Sequence, residues 1–135
     1  MYKKILIPVD GSSKSLIAAR HGAELASRFG SSVTLIHIIP VLPLDLRGMV
    51  INKFRAEAKE LLKKVARDLE RFNISIDLKV KSGKTADCIC RVARKYQYDL
   101  IVIGSRGLSE VKGYLLGSVS NAVTMHAPCP VLIIR

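Results

Sequence analysis

The sequence predicts a single α/β domain, residues 1–135, built on an open parallel five-stranded sheet with helices on both faces. Three observations carry this. Short β-rich apolar runs alternate with segments of helical periodicity, the pattern of strand–helix–strand units. Residues 32–39 and 100–103 are apolar nearly throughout, as strands covered on both faces are. One later segment instead alternates apolar and polar residues, which suits a strand at a sheet edge.

The elements follow in order. Ile5, Leu6, Ile7 and Val9 make residues 4–9 the first strand. Gly11-Ser12-Ser13 breaks it, and Ser12 or Ser13 can cap a helix. Ala18, Gly22, Leu25 and Phe29 then recur on one helical face, and Gly30 closes that helix. The second strand is residues 32–39. Pro40, Pro43 and Gly48 predict a loop over 40–48. A long helix is expected from about 50 to 72, with Phe54, Ala58, Leu61, Leu62, Val65, Leu69 and Phe72 as its core stripe. Arg55, Lys59, Lys63, Arg67 and Arg71 cover its solvent side.

Ile74, Ile76, Leu78 and Val80 alternate with Ser75, Asp77, Lys79 and Lys81 as the third strand. Residues 85–96 form the next helix, with Ile89, Val92, Ala93 and Tyr96 turned inward. Residues 100–103 are the fourth strand, 117–126 the fourth helix and 131–134 the fifth strand. The expected order is 3-2-1-4-5, in part because the alternating third strand belongs at an edge. In that order the winding reverses between strands 1 and 4, and ligands bind beyond the carboxyl ends of the strands there. Asp10 ends strand 1 and Gly104 ends strand 4, so the two meet at the switch point.

Composition narrows the classes. No apolar stretch approaches the roughly 18 residues of a membrane span, and Asp10 with Ser12-Ser13 interrupts any signal-peptide core. No membrane association and a cytoplasmic location are therefore expected. The three cysteines show no framework spacing. Cys88 and Cys90 point about 200° apart on a helix and cannot share a metal, so all three read as reduced structural thiols. The formal net charge is +11, but the 22 basic residues are spread along the chain. A solvated basic surface explains them; attraction of nucleic acid or another polyanion stays open as a second reading.

The chemistry concentrates in Gly104-Ser105-Arg106-Gly107, then nine residues, then Gly117-Ser118. A strand, a glycine loop and a helix start let backbone N–H groups face a phosphate. Glycine there avoids a side chain in the way of close approach, or allows positive φ. Gly83-Lys84-Thr85 is not a P-loop, because the position five before Gly83 is Leu78. His21, His37 and His126 lie on three different elements and read as structural. No Ser/His/Asp arrangement and no working pair of carboxylates stands out, so no catalytic residue is assigned.

The G-x-x-G, nine residues, G-S/T spacing resembles the nucleotide loop of the universal stress protein family, ATP-binding subclass. Tyr2 to Asp10 (YKKILIPVD), Val33 to Ile38, Asp99 to Gly107 (DLIVIGSRG) and Ala127 to Ile134 resemble family segments in the same order. The resemblance implies an adenine nucleotide alpha hydrolase-like fold. It assigns phosphate and ribose contacts to Gly104, Gly107, Gly117 and Ser118, and backbone or hydroxyl contacts to Arg106, Val119 and Ser120. Pro8, Val9 and Ile38 would border the base, with Ile38 reading adenine through its backbone, and Ile103 belongs to the same nucleotide-binding set. Arg106 either pairs with a phosphate or lies in solvent. Asp10 either caps a turn or faces the ribose or a phosphate-bound cation.

The implied ligands are ATP and a phosphate-bound Mg²⁺; metal-ligating protein residues are left unassigned. The implied role is a nucleotide-dependent regulatory module in the stress response with at most slow hydrolysis. The alternatives are an enzyme using ATP for nucleotidyl or phosphoryl transfer, or a polyanion binder. Residues 131–134 are continuously apolar at an expected sheet edge, and with the resemblance they imply a homodimer through that strand.

Overall fold

The computed structural model describes residues 1–107 and 116–135. Among the described residues, five strands form one parallel sheet: β1 (Lys4–Pro8), β2 (Ser32–Ile39), β3 (Ile76–Ser82), β4 (Leu100–Gly104) and β5 (Val131–Ile134). Their order is β3-β2-β1-β4-β5, as expected, with the alternating strand β3 at one edge. The connecting helices are α1 (Ser13–Phe29), α2 (Leu44–Asp68), α3 (Thr85–Lys95) and α4 (Ser118–His126).

Strand alternation divides the core in two. Ile5, Ile7, Val33, Leu35, Leu100 and Val102 pack against Ala18, Ala23 and Ala26 of α1 and Leu62 and Val65 of α2. Leu6, Ile36, Ile38, Ile101 and Ile103 face Ile89 and Ala93 of α3 and Val123 of α4. Ile5, Leu6 and Ile7 are fully buried, each worth about 1.5–3 kcal/mol of hydrophobic stabilisation. The alanine-rich face of α1 lets the helix lie close to β1: a Cβ at Gly22 would stand 2.3 Å from Ile7 Cδ1.

Local signals set most boundaries. Ser12 caps α1, its hydroxyl accepting from the Ser15 amide at 3.2 Å. Gly30 ends the helix in the left-handed region, its N–H on the Ala26 carbonyl. Two expectations need correction. The helix expected from about residue 50 begins at Leu44, so the loop expected over 40–48 is mostly helical and Gly48 lies inside it. Pro43 takes the N-cap without a side-chain cap bond, Asp45 in the first turn is favourable at a helix N-terminus, and one interior glycine costs only about 1 kcal/mol. At its other end α2 stops at Asp68; residues 70–72 form a separate 3₁₀ turn closed by Asn73 at φ 53°.

β3 occupies the edge as expected, although Leu78 on its apolar side is 40% exposed. No helix among the described residues is long and apolar enough to cross a membrane.

Candidate functional site

The carboxyl ends of β1, β2 and β4 surround a cavity of about 300 Å³. Its position follows from the sheet register. Pro8 pairs with Ile36 and the Val9 amide donates to the Ile36 carbonyl at 2.8 Å, which sets Val9 and Asp10 beside His37 and Ile38. Across β1, Ile103 and Gly104 close the other wall. Pro8, Val9, Ile36, Ile38, Ile89 and Ile103 make an apolar lining; Asp10, Ser15, His37, Thr85 and Arg106 supply polar groups. A mostly apolar cleft with a few convergent polar side chains is the usual form of a small-molecule site.

The structure brings Pro8, Val9, Asp10, Ile38, Ile103, Gly104, Arg106, Gly107, Val119 and Ser120 together around this one cavity. Gly117 and Ser118 are not in its lining. Ser118 lies in an adjoining pocket that shares Pro40, Thr85 and Val119 with the cavity and adds Lys84. Gly117 is buried at the N-cap of α4, and its amide donates to the Ser105 carbonyl at 2.6 Å. Residues 108–115, most of the nine-residue spacer, lie outside the described residues.

Of the two expected reasons for glycine in the loop, close approach holds at Gly104, although what approaches there is protein backbone. Gly117 has φ −73°, open to any residue, and among the described residues the positive-φ glycines are Gly11, Gly30 and Gly83. The requirement at Gly104 is spatial: a Cβ would stand 2.8 Å from the Lys14 carbonyl carbon and 2.9 Å from its oxygen. α1 begins against the end of β4, and only a hydrogen fits between them. Gly11, at φ +88°, turns the chain from Asp10 into that helix.

Asp10 has a structural bond as well as a cavity position. Its Oδ1 accepts from the Ser12 amide at 2.9 Å, and its own amide donates to Ser15 Oγ at 3.4 Å. This is an Asx turn that leads into α1. At the opposite rim the first backbone bond of α4 runs from Asn121 N–H to the Gly117 carbonyl at 2.9 Å. The amides of Val119 and Ser120 therefore carry no intrahelical bond, and both residues line the cavity. Ser120 Oγ donates to the Ser105 carbonyl at 2.9 Å, so the hydroxyl holds the loop while its amide is what can meet a ligand.

His37 lines the cavity and was missed by sequence reasoning, which took it as structural. Both descriptions hold: its Nδ1 lies 2.7 Å from the Val9 carbonyl, so Nδ1 carries the proton in that bond. Ser15, Ile36, Pro40, Thr85 and Ile89 were also missed. The usable signal was positional for all but Ile36, which is inside β2: the others lie just beyond a strand's carboxyl end or in the first turns of the following helix.

Among the described residues no three His, Cys, Asp or Glu side chains gather as a metal site. Asp10 is the carboxylate that lines the cavity. A cation here would be held by Asp10 together with oxygens that the ligand brings, which suits phosphate-bound Mg²⁺. Cys88, Cys90 and Cys129 are free thiols. Burial pushes the pKa of Cys90 and Cys129 up, which favours unreactive thiols.

A model of the universal stress protein family matches residues 1–135. A universal stress protein of Methanocaldococcus jannaschii is 37% identical over 141 residues, covering 100% of this chain and 83% of that protein. The solved structure of universal stress protein UspA from Lactobacillus plantarum matches with a TM-score of 0.87 at 24% identity, covering 99% and 98% of the two chains. The universal stress protein from Archaeoglobus fulgidus, solved in complex with dAMP, matches with a TM-score of 0.80 at 26% identity and covers 99% and 98%.

Proposed function

The chain belongs to the universal stress protein family, and on that premise we propose that it is a regulatory module that binds ATP with Mg²⁺. The observation that carries this reading is the cavity itself. It joins an apolar compartment at the ends of β1 and β2 to the amides of Val119 and Ser120 at the start of α4, which carry no intrahelical bond. A purine fits against Val9, Ile38 and Ile103, and phosphates fit against a helix N-terminus, where backbone N–H groups and the helix dipole favour negative charge. The bound dAMP of the Archaeoglobus fulgidus relative supports an adenine nucleotide.

In this reading Gly104, Gly107, Gly117 and Ser118 shape the path of the phosphates, and Arg106 offers a guanidinium to them. Asp10 faces the ribose hydroxyls or the Mg²⁺ ion. Hydrolysis is slow, because Asp10 and His37 are each engaged with backbone groups at the turn and at Val9. Occupancy is passed on as a change of shape or assembly. Denaturing freshly purified protein and weighing the released small molecules tests the base: an adenine nucleotide is expected, and a guanine nucleotide overturns the reading.

The same proposal includes a homodimer through residues 131–134. β5 is a sheet edge, and Leu132 is 37% exposed on it. Ile134 is buried in the core and is unsuitable for substitution. Leu132→Lys should shift the protein toward monomer in sedimentation, and a wild type that sediments as a monomer overturns this part.

A further inference from the structure

We propose that the groove between β3 and α3 is a second anion site, separate from the nucleotide cavity, and that it takes a chain of phosphates without a base, an inorganic polyphosphate. The groove holds about 170 Å³ and is lined by Lys81, Arg91, Lys95 and Tyr96 among others, none of which lines the nucleotide cavity. Lys79 stands at its end, with Nζ 4.2 Å from the centre of the Tyr96 ring; Lys95 Nζ lies 5.4 Å from the same centre. Four cations thus gather where one strand and one helix meet.

None of the four has an acidic partner. Among the described residues the ion pairs are Arg28 with Glu24 and Lys63 with Glu60. Asp77 on β3 and Asp87 on α3 pair with none of them. Like charges held side by side repel, and an anion that bridges them removes that repulsion. The positive potential is strong enough to act on a neighbour: Lys95, Lys79 and Lys81 hold the Tyr96 phenol below its ordinary value.

The spacing selects a repeating anion. Lys79 and Lys81 lie on the same side of β3, about 6.6 Å apart along the strand. Arg91 and Lys95 are one helical turn apart, about 6 Å along α3. Two facing rows of this pitch suit a ligand that carries charge continuously along its length. A nucleic acid is the poorer fit. The Tyr96 ring already carries two ammonium groups, so it is no platform for a base. The chain has no Trp, and the groove is too small for a base beside its phosphate.

Titration of sodium tripolyphosphate into ¹⁵N-labelled protein at low ionic strength tests this. Saturable amide shifts are expected over residues 79–82 and 88–96. The combined variant Lys81→Gln, Arg91→Gln, Lys95→Gln should bind at least about tenfold more weakly. All three side chains are exposed, and the amide spectrum reports whether the variant is folded; the wild-type shift map stands without it. Shifts confined to residues 104–107 and 117–120 would assign the ligand to the nucleotide cavity and overturn the proposal. So would unchanged affinity in the folded variant, or tighter binding of a thymidine oligonucleotide of equal charge at the same groove.

Discussion

The carbonyl oxygen of Ser105 accepts the amide of Gly117 at 2.6 Å, which joins the two ends of the glycine-rich loop. The Ser105 amide in turn donates to the Ile134 carbonyl at 2.7 Å, so this clamp is tied to the last strand. The Gly117 N–H is therefore occupied by the fold, and a phosphate must be met by the amides after it.

Ser120 supplies the clamp's second bond, and its side chain is buried. Ser120→Ala should cost about 1 kcal/mol and lower Tm by roughly 3–5 °C. ATP affinity should change less than about threefold, since one neutral hydrogen bond is at stake only indirectly. Calorimetric melting and ATP titration of the same variant check both. A large affinity loss at unchanged Tm would place the hydroxyl on the ligand instead.

Asp10 has two separable roles. Asp10→Asn keeps an oxygen that can accept from the Ser12 amide, so stability should stay within about 0.5 kcal/mol of wild type. The same variant loses the charge, and its ATP affinity should fall about tenfold or more with Mg²⁺ present, in line with one charge-assisted contact. With Mg²⁺ chelated the difference should be small. Asp10→Ala should lose stability as well. Equal ATP binding by Asp10→Asn and wild type in Mg²⁺ would reduce Asp10 to a turn residue.

Part of the sheet order was legible because alternation in residues 74–81 marked one edge; the other edge was not marked this way, since residues 131–134 are as continuously apolar as the interior strands. From that order the meeting of Asp10 with Gly104 followed. The start of α2 was not legible: Pro43 and Gly48 read as loop, and only the folded chain shows that Pro43 opens a helix. His37 was hidden for a related reason. Its neighbours are apolar, so the local pattern reads as core; that β2 ends at the cavity is a tertiary fact. The reason for Gly104 was hidden too, because the backbone it must clear, at Lys14, comes from another element.

Tyr98 links the core to pH. Its hydroxyl donates to Thr34 Oγ1 at 2.7 Å in a buried pair. Burial raises its pKa, partly offset by that bond, and Asp77 and Tyr96 raise it further. The folded state thus holds this proton more tightly than the unfolded chain. The stabilisation is complete below the ordinary phenol value of about 10 and is lost as pH rises from there through the folded value. Urea unfolding at rising alkaline pH should show this decline. Tyr98→Phe should flatten it while costing about 1 kcal/mol at neutral pH; an identical alkaline profile in the variant would contradict the assignment.

In the proposed function an adenine nucleotide sits in the cavity between Asp10 and the start of α4. The most direct measurement is a calorimetric titration of ATP with Mg²⁺ into wild type and Thr85→Phe. Thr85 is half-buried and lines both the cavity and its adjoining pocket, so a phenyl ring there occupies ligand space without entering the core. One saturable site per chain is expected for wild type, with affinity at least about tenfold weaker in Thr85→Phe at unchanged circular dichroism. No saturable heat with wild type, or equal affinity in the two proteins, would contradict the account.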